Sequence, residues 1–188
     1  MSDLRQPQSF IASEALIQVD LSRQKLYCFH NQQLVFEFSV STAKNGPGEA
    51  ENSGCTPRGW HEVVEIIGLE YKKNAVFVGR VWTGEIYSAY LDQQFPERDW
   101  ILSRIIRIRG LEPGKNAGPG VDTYDRYIYI HGTPDKEPMG IAKSHGCIRM
   151  RNNDVIKLSN WVKKGVKVMI STQDCLISSN MNWSEYND

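Results

Sequence analysis

Several runs along the chain alternate apolar and polar residues with a period of two. Ile17 to Leu21, IQVDL, is the first such run and reads as a half-buried strand. KLYCF and LVFEFSV follow on either side of HNQQ and predict a hairpin, with Cys28 packed inside its first strand. HEVVEII, AVFVGRVW, ILSRIIRIR, RYIYIHG and VKVMI each read as a further strand. ILSRIIRIR carries its basic residues on an exposed side, and RYIYIHG sets tyrosines and isoleucines on opposite faces. One stretch breaks the period. In RNNDVIKLSNWVKKG, Val155, Leu158 and Val162 share one helical face. Asn152 or Asn153 is the expected cap, Asp154 sits in the first turn, Lys163 and Lys164 in the last, and Gly165 is the stop. About eight strands and one helix predict a mostly β fold, a sandwich or barrel with the helix just behind the loop that holds Cys147.

The segments between these runs are long. Residues 41–59 and GLEPGKNAGPGVDTYDR are dense in glycine and proline and predict loops that wall a cleft. TGEIYSAYLDQQFPERDW has turn signals and aromatics but no period, so residues 83–125 are expected to form a lid or insertion. The domain expectation is a flexible arm over 1–14, one catalytic domain over 15–172, and a polar tail over 173–188 in which Trp183 and Tyr186 stand out.

Charge and composition narrow the choice of partners. The 22 basic and 22 acidic residues balance, so no net field draws the chain to nucleic acid or anionic lipid. No segment approaches the length of a membrane span. The first twenty residues lack the basic start and apolar core of a secretory signal, which sets the expectation of a cytoplasmic protein, with the periplasm as the alternative. None of the four cysteines, Cys28, Cys55, Cys147 and Cys175, forms a CxxC pair, and reduced thiols are expected.

The candidate chemistry lies in HGTPDKEPMGIAKSHGCIRM, His131 to Met150, which holds two of the four histidines. Three readings of Cys147 stand open. His131, His145 and Cys147 could be metal ligands, but ligands at i and i+2 around a glycine suit few zinc sites and no fourth ligand is indicated. Cys147 could be a buried thiol in a glycine turn, which leaves the two histidines unexplained. Or Cys147 is a nucleophile. That reading needs a thiol brought toward its thiolate, a fixed base, and amide donors for an oxyanion. His131, at a strand end, is the favoured base, with the Gly132 carbonyl setting its tautomer. Ser144, His145 and Gly146 would shape the turn, and the helix N-terminus near Asn153 could favour the thiolate. Arg149, two residues past the thiol, can fork onto a carboxylate, and Gly132 and Thr133 are further candidates for substrate contact.

IHGT followed by SHGCIRM closely resembles the signature of the L,D-transpeptidase catalytic domain, the YkuD-type family. VDLSRQKLYCF, VSTAKNG and TPRGWHEV extend the resemblance, which runs from about Leu16 to Ile170; Ala43 stands where a glycine is common. The resemblance implies a β-sandwich with a helix behind the catalytic loop, and no cofactor or metal. It implies acyl transfer on peptidoglycan stem peptides, with Cys147 attacking the diaminopimelate carbonyl and expelling D-alanine. His131 would be the base, the backbone amides of Gly146 and Cys147 the oxyanion donors, and carbapenems covalent inhibitors. Water as acceptor would make an L,D-carboxypeptidase trimming muropeptides in recycling; an amine would make a cross-linking or exchanging L,D-transpeptidase. A muropeptide-binding module without activity is the third alternative.

Overall fold

In chain order the strands are β1 (Ala15–Asp20), β2 (Lys25–His30), β3 (Gln33–Ser41), β4 (Gly59–Ile67), β5 (Ala75–Val78), β6 (Val81–Ile86), β7 (Ile101–Gly110), β8 (Tyr129–Thr133), β9 (Ile148–Arg151) and β10 (Lys167–Ser171). The helices are α1 (Ala89–Gln94) and α2 (Asn152–Trp161). This computed structural model describes residues 15–172. The expected arm and tail, with Cys175, Trp183 and Tyr186, lie outside the described residues.

The strands hydrogen-bond in the order β4-β10-β1-β2-β3-β9-β8-β7-β5-β6, and β4 also pairs with β7. That extra pairing joins the layers of the sandwich into a closed, barrel-like ring, with the β5–β6 hairpin attached to the start of β7. Closure removes the edges of eight strands. Inside the ring, Ile17, Val19, Leu26, Val40, Ile106 and Ile130 pack with Val155 and Leu158 of α2 and with Val162 just past its end. Each such side chain, once fully buried, stabilises the fold by about 1.5–3 kcal/mol. Among the described residues no helix is long and apolar enough to cross a membrane.

Several local expectations are corrected. AVFVGRVW is a hairpin and not one strand: Gly79 and Arg80 both take positive φ, 56° and 69°, the geometry of a tight two-residue turn between β5 and β6. The aperiodic stretch holds α1, capped by the Ser88 hydroxyl, which accepts from the Leu91 amide. The helix α2 has no side-chain cap; Arg151 occupies the N-cap position. Asn152 is instead turned inward, where it accepts from Ser103 Oγ at 2.6 Å and donates to the Thr133 carbonyl at 2.8 Å. Trp161 ends the helix, so Lys163, Lys164 and Gly165 belong to the turn into β10, where the Gly165 amide bonds to Val63. Residues 83–125 are not one unit. Their centre is β7, a strand bonded to β4, β5 and β8, and the segment before it, with Asp99, lines the cleft described next.

Candidate active site

Strands β8 and β9 run parallel, with His131 opposite Arg149 and Ile130 opposite Ile148. Side chains alternate across a strand, so this register sorts the residues into two sets. Ile130 and Ile148 point into the core. Tyr129, His131 and Thr133 lie beside Cys147 and Arg149 on the other face. Ala75, Phe77 and Ile105 pack over Tyr129 and Cys147 there.

The turn before β9 is held from outside. Its Ser144 amide bonds to Thr42 and its Ser144 carbonyl accepts from Lys44, which fastens the turn to the end of β3. Thr56, in the long glycine-rich loop, donates to the Gly146 carbonyl at 2.7 Å and accepts from the Ala43 amide at 3.0 Å. The Ser144 hydroxyl donates to the Cys147 carbonyl at 2.6 Å and accepts from the Gly146 amide at 3.2 Å. Gly146 takes φ 138°, and a Cβ there would lie 2.7 Å from Ile128 Cδ1. The backbone angle demands glycine, and a Cβ would in addition push the Ile128 methyl aside.

His131 is 2% exposed, and its Nδ1 lies 2.8 Å from the Gly132 carbonyl. That oxygen can only accept, so Nδ1 carries the proton and Nε2 keeps its lone pair. Burial lowers the imidazole to about 4, against the opposing pull of the Gly132 bond and Asp99. His131 is therefore neutral at neutral pH. Burial likewise pushes the Cys147 thiol up to about 12, although a hydrogen bond from the Tyr129 backbone amide pulls the other way. The sulfur lies 3.4 Å from the Tyr127 carbonyl and donates to it. Both directions favour a resting pair of thiol and neutral imidazole, with the proton on sulfur until the base takes it. The helix N-terminus cannot supply a thiolate, because α2 starts at the far end of β9, about 13 Å of strand beyond Cys147.

Cys147 and His131 line one cavity of about 140 Å³, together with Asp99, Arg126, Tyr127 and Tyr129. A second cavity of about 220 Å³ adjoins it, lined by Trp100, Thr133 and Glu137 and sharing Asp99, His145 and Arg149 with the first. A wider groove of about 1020 Å³ along β4 and β7 contains neither Cys147 nor His131. His145 is turned outward toward Asp99, with its Nδ1 at 3.3 Å from Oδ2. Among the described residues no three His, Cys, Asp or Glu side chains converge as metal ligands. Gly132 faces away from the cleft: a Cβ there would meet the Leu102 carbonyl at 2.5 Å and Asn152 Oδ1 at 2.6 Å. It meets the site through its carbonyl, which holds His131 Nδ1. Thr133 is buried in the wall of the second cavity.

Three site residues carried no signal in the sequence pattern. Asp99 accepts from Arg149 at 2.8 Å. Burial would raise its carboxyl, but Arg149, His131 and His145 outweigh that and hold it below the usual range. Arg126 bonds the carbonyls of Glu49 and Cys55, both at 2.8 Å, and so clamps the glycine-rich loop against the cavity. Tyr127 takes a left-handed φ of 56°, which presents its carbonyl to the thiol, and the Arg80 guanidinium lies 4.3 Å above its ring.

Comparison with known proteins adds a lineage. The profile of the L,D-transpeptidase catalytic domain, YkuD, matches residues 14–170. Two Bacillus subtilis proteins named as L,D-transpeptidases align over shorter stretches. YkuD is 50% identical over 42 residues, 22% of this chain and 26% of its own length. YqjB is 44% identical over 48 residues, 25% of this chain and 27% of its own. These alignments therefore span about a quarter of each relative. Among solved structures, an L,D-transpeptidase from Mycobacterium smegmatis matches with a TM-score of 0.52 and 16% identity, covering 84% of this chain and 58% of that one. L,D-transpeptidase 3 from Mycobacterium tuberculosis, with a faropenem-derived adduct, gives 0.52 and 16%, over 84% and 60%. At such identities the structural likeness is one of fold.

Proposed function

The chain belongs to the YkuD family of L,D-transpeptidase catalytic domains, and from that premise we propose that it is a cysteine acyl-transfer enzyme acting on peptidoglycan stem peptides. The bond attacked joins the L-centre of diaminopimelate to D-alanine. One observation carries this reading: a thiol shares a cavity with a neutral imidazole whose Nδ1 is committed to a backbone carbonyl, which leaves Nε2 as the base.

The reaction follows from those protonation states. Cys147 Sγ bonds to the substrate carbonyl carbon as His131 Nε2 takes the thiol proton. The Gly146 amide is engaged by Ser144, so the amides of Cys147 and His145 are left to bind the oxyanion. The C–N bond to D-alanine then breaks, and His131 returns the proton to the leaving amine. In the second half His131 takes a proton from water, the oxygen attacks the thioester, and the sulfur leaves and is reprotonated.

Water is our preferred acyl acceptor, making the enzyme an L,D-carboxypeptidase that releases D-alanine from recycled muropeptides, with a cytoplasmic setting as part of this proposal. The cavity beside Cys147 is small, about 140 Å³, and water reaches the sulfur without a binding site of its own, which supports this reading. The second reading, L,D-transpeptidation in the periplasm, is favoured by the adjoining cavity, which offers a second peptide an approach. Incubation with a disaccharide tetrapeptide separates them by mass: tripeptide plus free D-alanine is the expected product, and cross-linked dimer would establish transpeptidation. Fractionation of the native full-length protein tests the compartment. A penem or carbapenem adduct on Cys147 is expected under both.

A further inference from the structure

Asp99 and Arg149 meet where the two cavities join, and both line each of them. The Arg149 side chain is only 8% exposed, whereas that of Asp99 is 51% exposed. A positive charge is therefore fixed deep in the wall and a negative one stands at the mouth. Arg149 makes one hydrogen bond to Asp99, at 2.8 Å, and a looser ion pair with Glu137, at 3.8 Å. A guanidinium has five N–H donors, so this buried group keeps hydrogen-bonding capacity beside the cavity it lines. Asp99 accepts from Arg149 through Oδ1 and meets His145 through Oδ2, and its exposed lone pairs remain open to solvent.

The pair discriminates by charge. A ligand carboxylate alone would bind Arg149 but be repelled by Asp99. An ammonium alone would meet the reverse. A group carrying both, side by side, satisfies each partner. We propose that Asp99 and Arg149 form a specificity clamp for an α-amino-acid head group, the ammonium on Asp99 and the carboxylate on Arg149. This rests on the stem-peptide reading above, because the side chain of diaminopimelate ends in that head group. With the scissile carbonyl at Cys147, the side chain extends toward the adjoining cavity.

The test uses binding, separate from turnover. Three tetrapeptides differ only at the third residue: diaminopimelate, 2-aminopimelate with the distal carboxylate alone, and lysine with the ammonium alone. Calorimetry is run on Cys147→Ala and on Cys147→Ala/Asp99→Asn. With Asp99 present, the diaminopimelate peptide binds about tenfold tighter than the other two, the worth of one charge-assisted contact. With Asp99→Asn that advantage over the 2-aminopimelate peptide disappears, while the 2-aminopimelate peptide itself binds no more weakly. Equal affinities for all three, or a uniform loss in Asp99→Asn, would overturn the clamp, the latter marking a purely structural role. D-alanine release by the unmodified enzyme is measured on the same peptides. Release from all three alike removes the clamp and keeps the hydrolase, whereas release from none removes both.

Discussion

Among the described residues two thiols and two imidazoles are displaced from their ordinary values by burial, and each pair moves equally. Cys28 on β2 and Cys147 before β9 are both pushed up to about 12. His61 on β4 and His131 on β8 are both lowered to about 4. Their surroundings differ. Cys28 sits among Ile17, Leu26 and Phe38, which offer it neither base nor donor. His61 spends both nitrogens, Nδ1 at 3.0 Å from the Gly59 carbonyl and Nε2 at 3.0 Å from Thr123 Oγ1. His131 spends one nitrogen and faces the same cavity as Cys147. A displaced titration is thus a mark of burial, and the chemistry lies in the hydrogen-bonding capacity left over.

Exchanging the two thiols breaks the comparison most sharply. Cys147→Ala is expected to lower D-alanine release by a factor on the order of 10⁴ or more, and to abolish the penem adduct by intact mass. Cys28→Ala keeps turnover and adduct, and shows only a stability loss of about 1 kcal/mol by denaturant titration. The imidazoles come next. His131→Gln should cost about 10²–10⁴ in kcat. In the unmodified enzyme, kcat/KM should climb as pH rises through about 4, where His131 loses its proton. It should show no further rise near pH 8.5, where a free thiol would ionise.

The buried imidazoles also set the acid stability. Both have folded values of about 4, below the ordinary histidine value of 6.5, so the unfolded chain binds more protons between those limits. Stability is therefore full above pH 6.5 and falls as pH drops through 4, by on the order of 3 kcal/mol for each ring. Thermal melts of His61→Gln should lose roughly half of that pH dependence. Smaller effects are expected from the turn. Gly146→Ala forces an alanine to φ 138° against Ile128 and should destabilise by about 1–3 kcal/mol, with turnover falling in step. Thr56→Val keeps the shape but removes the donor to the Gly146 carbonyl, and should lower the melting free energy by about 1–2 kcal/mol.

Local signals explain what the sequence made legible. The strands β1 to β4, β7, β8 and β10 follow period-two runs, and the helix follows Val155, Leu158 and Val162. His131 and Cys147 stood out because a strand end and a Ser-His-Gly-Cys turn are local patterns. The hairpin at Gly79–Arg80 was hidden because its turn keeps the apolar alternation running. Asn152 resembled a cap because capping residues and buried amide bridges share a composition. Asp99 was illegible for a different reason: its partner Arg149 is fifty residues away, joined only by the fold. Arg126 was likewise concealed, since the carbonyls it binds belong to residues more than seventy positions earlier.

The most direct measurement is rapid quenching of the enzyme during turnover of a stem tetrapeptide, followed by intact mass and peptide mapping. Attack by Cys147 with His131 as base predicts a tripeptidyl thioester on the Cys147 fragment, formed as D-alanine appears and absent in Cys147→Ala. D-alanine released with no acyl group ever on Cys147, or released equally well by Cys147→Ala, would contradict it.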